Sequence, residues 1–130
     1  MDLQQVAVDA YLNRNNGVSE AIIFYGAALS FSGIADIGGL MGGGIENCRE
    51  TDSLGAISEA IAAFRFLGLP AVAQLIDRAH AEYARMRPGG ASYAMSEEDE
   101  QLWDELDEQW FALNVTGQLD QIGERLTCDL

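Results

Sequence analysis

Between Ser96 and Glu108 the chain sets eight carboxylates, Glu97, Glu98, Asp99, Glu100, Asp104, Glu105, Asp107 and Glu108, with no basic residue among them. Such a row can do three kinds of chemistry: a pair can hydrolyse glycosides, a cluster can hold a cation, and an unneutralised series can dock a positively charged macromolecule. Glycoside hydrolysis needs an apolar environment that keeps one acid protonated, and acids on an exposed helix face have none. Metal ligation lacks its pattern. The run does not contain the D-x-[DN]-x-[DN]-G spacing of an EF-hand loop, and one histidine with two distant cysteines gives no zinc set. No metal and no cofactor is expected, and docking of a cationic partner is the chemistry that remains.

The helix carrying these acids is predicted over 97–112, opened by Ser96-Glu97-Glu98-Asp99, a capping box with Asp in place of Glu or Gln. Acids in its first turn also oppose the positive end of the helix dipole. At 100° per residue, Leu102, Trp103, Leu106 and Trp110 share an apolar arc of about 100°, and seven of the acids fall in the opposite half. Asp99 lies near the apolar arc and is excused by capping, whereas Phe111 projects toward the acids. Twelve residues rise roughly 17 Å, giving about one charge per 2 Å against about 1.7 Å for duplex DNA. That spacing permits mimicry of DNA; an acidic face that is only solvated fits the same pattern. Like charges at i,i+4, as in Glu100/Asp104 and Asp104/Glu108, cost a few tenths of a kcal/mol per pair, and their retention without lysine partners favours a function.

Other residues that could do chemistry have blander readings. His80 is the only histidine and lies one turn from Asp77, but no nucleophile is indicated beside it. The stretch Gly38-Gly39-Leu40-Met41-Gly42-Gly43-Gly44 lacks the GK[ST] ending of a phosphate loop and reads as a flexible loop. Trp103 and Trp110 fit two aromatics on one core stripe better than a ligand-stacking pair.

These residues must be positioned by helices. The 130-residue chain is 48% hydrophobic and carries a formal charge of −14, from 21 acids against seven arginines and no lysine. It therefore has material for one domain with a real core, residues 1–130, and a charge that repels nucleic-acid backbones and anionic membranes. Residues 96–130 hold eleven acids against Arg125, so the acidity is concentrated at one end. The N-terminus lacks the regions of a secretory signal, and the charge-free stretch Ala21 to Ala35 is shorter than a membrane span, so a cytoplasmic protein is expected. Cys48 and Cys128 read as free thiols.

Apolar periodicity predicts a helix over 2–14 stopped by Asn15-Asn16-Gly17, and a nearly all-apolar helix from Ser19 to about Phe31 that is central or lies at a subunit interface. Residues 32–50 are expected to be a glycine-rich loop whose Ile37, Leu40, Met41 and Ile45 fold onto the core or reach a second subunit. A third helix begins at Thr51 or Asp52 and stops at Gly68, and a fourth starts at Pro70 and ends at Pro88-Gly89-Gly90. The short Gly68-Leu69 link makes these two a hairpin. A last amphipathic piece carries Leu119, Ile122 and Leu126. The expected fold is an all-α bundle of five to six helices with the glycine-rich loop between helices two and three.

Three segments resemble the bacterial DNA-mimic protein 19 family, also known as domain of unknown function 4375. Asn15-Asn16-Gly17-Val18 followed by Phe24 is similar to its N-G-G turn and aromatic helix, with Val18 in place of the second glycine. Ala60 to Gly68 (AIAAFRFLG) running into Ala71 to Ala79 (AVAQLIDRA) resembles its central hairpin, and Leu106 to Leu113 (LDEQWFAL) its L-D-x-x-[aromatic]-[aromatic] segment. The resemblance implies a homodimeric all-helical domain that offers an acidic surface to a helix-turn-helix transcription factor and displaces it from its operator. The expected function is thus a non-enzymatic acidic binding protein, with Glu97, Glu98, Glu100, Asp104, Glu105, Asp107 and Glu108 meeting a basic protein and with no direct contact to nucleic acid or membrane. Two alternatives stay open: an immunity or other interaction protein covering a basic partner, and a small-ligand enzyme centred on His80 and the glycine loop.

Overall fold

A computed structural model describes residues 2–14, 17–51 and 53–128, and among them there are helices and no strand. The order is α1 (Leu3–Asn13), α2 (Glu20–Gly38), a π-helical segment (Gly39–Glu46), α3 (Asn47–Glu50), α4 (Leu54–Phe66), α5 (Pro70–Met86), α6 (Glu97–Ala112) and α7 (Val115–Cys128). The all-α single-domain expectation holds. Asn15, Asn16 and Asp52, to which a stop and a cap were assigned, lie outside the described residues.

Local signals set most of the boundaries. Asp2 caps α1 by accepting from the Gln4 amide at 3.2 Å, Ser19 accepts from Ile22 at 3.3 Å, and Ser96 accepts from Asp99 at 3.1 Å. Pro70 opens α5, and Gly68 takes the left-handed φ of 80° that the α4–α5 turn needs. The helix expected from Thr51 or Asp52 begins later, after Ser53.

The expected loop at 32–50 is the main correction. Helix α2 runs on to Gly38, the backbone swings at Gly39 with φ of 84°, and the π segment and α3 follow with no loop between. Glycine is a breaker when side chains must stabilise a helix; here the missing side chains let backbones touch. A Cβ on Gly43 would lie 2.3 Å from the Ile34 carbonyl oxygen and 2.8 Å from Gly38 Cα, and one on Gly44 would lie 2.8 Å from the Phe31 ring. Leu40, Met41 and Ile45 are fully buried, whereas Ile37 is 90% exposed. The helical run Glu20–Glu50 is consequently 31 residues, long and apolar enough by length and composition to cross a membrane, contrary to the expectation from its shorter charge-free stretch.

Much of that apolarity is used inside one copy of the chain. Tyr25, Ala28, Phe31 and Ala35 are buried where α2 packs on α1, α4 and α7, so the composition of 20–31 no longer calls for a subunit contact. Helices α4 and α5 pack as the expected hairpin, and α6 lies against α5 and the π segment. At the α1–α2 crossing, a Cβ on Gly26 would sit 2.0 Å from the Ala7 carbonyl oxygen, a backbone atom that cannot step aside. Gly26→Ala is expected to destabilise by about 1–3 kcal/mol through overpacking. Gly33→Ala, on the same helix with nothing within 4 Å of the added atom, is expected to stabilise by about 0.5–1 kcal/mol. Urea denaturation of the two variants checks the contrast.

Candidate partner-binding face

Helix α6 is held by its inner side. Leu106 is fully buried and Trp110 is 1% exposed. The Trp110 ring meets Phe31 and Phe64 edge-on, with centroids 5.9 and 6.4 Å away, and its Nε1 donates to Asp36 Oδ1 at 2.9 Å. Trp103 is half-buried between Tyr83 at 5.9 Å and the Arg87 guanidinium at 5.3 Å. The two tryptophans therefore sit on the packed side, and Phe111 is 54% exposed on the other side as its position on the wheel required.

On the outer side Glu97, Glu98, Glu100, Asp104, Glu105 and Glu108 are exposed, and among the described residues none of the six lies in an ion pair. Asp99 does: Arg85 reaches it at 2.9 Å and Glu82 at 2.8 Å, tying the start of α6 to the end of α5.

Asp107 departs from the expected face. Its carboxylate turns inward onto the start of the π segment, where Oδ1 accepts from the Met41 amide at 2.9 Å. The fit is close enough that a Cβ on Gly39 would lie 2.6 Å from Oδ2. Burial pushes its pKa up, the Met41 amide pulls it down, and the Asp104 charge adds a smaller upward push. Because the folded-state pKa is raised, the ionised form is disfavoured by folding, so this group's contribution to stability falls as pH rises through the window above the ordinary Asp value. Through the Met41 bond, whose donor would otherwise go unpaired, Asp107 acts as a helix cap supplied by a distant helix. Asp107→Ala is expected to cost about 1–2 kcal/mol, as removal of other caps does. Glu105→Ala is expected to stay within about 0.5 kcal/mol of the parent protein. Thermal melts of both separate the inward acid from the outward ones.

With Asp107 turned inward and Asp99 paired to Arg85, six of the eight charges remain over roughly 17 Å, about one per 3 Å, sparser than a duplex and nearer the roughly 3.4 Å per charge of a single strand. A rigid, unneutralised ridge of this kind can attract and orient cations at its surface.

A second polar cluster lies behind α6 and was missed in the sequence. Tyr83 donates to Glu46 Oε2 at 2.9 Å, Arg87 pairs with the same carboxylate, and Arg49 stacks over the Tyr83 ring at 5.0 Å. Burial first, and then Glu46, pushes the Tyr83 phenol up to about 12. The residues come from three segments with no common spacing, so no sequence pattern announces them. His80 is half-buried with an unpartnered Nδ1; burial and then the Arg49 charge hold its pKa down. Both cysteines are free, Cys48 buried and Cys128 exposed.

A family model described as DMP19-like protein matches residues 40–125, from the π segment through most of α7. No curated protein and no solved structure matches the chain.

Proposed function

Because the chain belongs to the DMP19-like family, we propose that it is a non-enzymatic acidic binding protein that mimics DNA and sequesters a DNA-binding protein such as a helix-turn-helix transcription factor. The observation that carries this reading is the ridge of Glu97, Glu98, Glu100, Asp104, Glu105 and Glu108, exposed, unpaired and fixed from behind by Leu106 and Trp110. A carboxylate that already has an arginine gains little from a cationic partner; among the described residues these six have none. Preorganisation matters too, since the backbone of an anchored helix needs little further ordering when the partner arrives. Action in the cytoplasm and as a homodimer belongs to the same proposal, and sedimentation of the full chain tests the dimer.

The reading is tested by displacement. Host lysate is bound to immobilised duplex DNA and challenged with the purified protein, alongside a variant in which the six acids are changed to Gln or Asn. The proposal expects a DNA-binding protein to be released by the parent protein and retained with the variant. Release by neither, or by both equally, contradicts it.

A further inference from the structure

Away from the acidic ridge, α1, α2, α3 and the start of α4 border an open cleft of about 470 Å³. That is within the roughly 300–1,000 Å³ of small-molecule sites. Phe31, Ile34 and Ala56 give it an apolar wall. At its rim Arg14 and Glu59 hold each other in a two-point contact of 2.9 and 3.0 Å. The bond to Arg14 keeps the Glu59 carboxyl below its ordinary range. Among the described residues the lining therefore carries no free charge. Cys48 lines it as well, with its thiol pushed up by burial and hence neutral.

Ser30, also in the lining, has an Oγ shut off from solvent with no hydrogen-bond partner. A buried hydroxyl left unpaired is costly, and among the described residues no hydrogen bond holds this one in its present orientation. Rotation about χ1 toward the cleft breaks no bond.

We propose that the cleft binds a small uncharged molecule with a flat apolar body and one hydrogen-bonding group, of the benzamide class. The body lies on the Phe31, Ile34 and Ala56 wall, and the polar group satisfies Ser30. Among the described residues an anion or a cation finds no counter-charge in the lining that is not already paired, so the site favours a neutral ligand over either.

The test is an NMR titration of ¹⁵N-labelled full chain with benzamide, using benzoate and protonated benzylamine as charged counterparts. Saturable shifts centred on the amides of Ser30, Phe31, Asn47 and Gly55 are expected, with a Kd on the order of 1 mM for a probe of this size. Gly55→Leu is the blocking variant, because Gly55 lines the cleft, a Cβ there meets only Glu59 Oε1 at 3.9 Å, and the added side chain is expected to take up part of the space a ligand needs. It is expected to weaken benzamide by at least about tenfold with the spectrum otherwise preserved. Ser30→Ala is expected to bind benzamide more weakly while melting no lower than the parent. Scattered or unsaturable shifts, undiminished binding by Gly55→Leu, or equal affinity for either charged probe would overturn the proposal. So would shifts of the same amides on raising protein concentration without benzamide, which would mean that a second copy fills the cleft.

Discussion

Changing Glu97, Glu98, Glu100, Glu105 and Glu108 to Gln and Asp104 to Asn is expected to lower affinity for the proposed DNA-binding partner by on the order of 10²- to 10³-fold at low salt, with the fold retained. Replacing six acids takes the formal charge only from −14 to −8, so a large loss would report the ridge and not the overall charge. Two smaller effects on stability oppose each other. Loss of Glu97, Glu98 and Glu100 removes favourable first-turn charges, each worth about 0.3–1 kcal/mol, whereas loss of pairs such as Glu100/Asp104 relieves repulsion of a few tenths each. The inner stripe is untouched, so calorimetry and circular dichroism should show a folded helical protein. A control with the same number of neutralised acids elsewhere, including Asp9, Glu20 and Asp77, should bind nearly as the parent does.

Trp110→Ala is expected to destabilise by about 3–5 kcal/mol, a large share of the roughly 5–15 kcal/mol that holds a domain of this size. The ring is buried against Phe31 and Phe64, and its removal leaves a cavity beside them. The melting temperature should fall by roughly 10–20 °C. Trp110→Phe separates packing from hydrogen bonding. It keeps an aromatic ring and removes the donor to Asp36, an exposed carboxylate that also accepts from Thr116 at 2.5 Å. The loss should then be nearer 1 kcal/mol plus the smaller ring's missing contacts. If Trp110→Ala melted as the parent does, the anchoring of α6, and with it the rigidity of the ridge, would be wrong.

Much of this architecture is legible from local chemistry. Asp2, Ser19, Ser96, Pro70 and Gly68 act within a turn or two of their own position, and the 3.6-residue period of α6 separates Leu106 and Trp110 from the outward acids. The glycine segment was not legible, because its helicity depends on groups far away in sequence. Gly43 packs on Ile34 and Gly38, and the amide of Met41 is satisfied by Asp107, 66 residues later. The same contact is why the helical wheel of α6 places one acid too many on the outward face. On a helical wheel Asp107 is an ordinary outward position, and only the approach of Gly39 turns its carboxylate inward. Arg85, in contrast, removes Asp99 from the face as the capping position and apolar flank of that residue had suggested.

The most direct measurement is the salt dependence of affinity for the protein released from DNA, for the parent and the six-acid variant. Electrostatic docking through several ridge carboxylates predicts that log K falls steeply and linearly with log salt for the parent, with a loss of on the order of ten- to hundredfold between 50 and 200 mM, and that the line is much flatter for the variant. A parent affinity that does not change across that range, or parallel lines for the two proteins, would contradict the account.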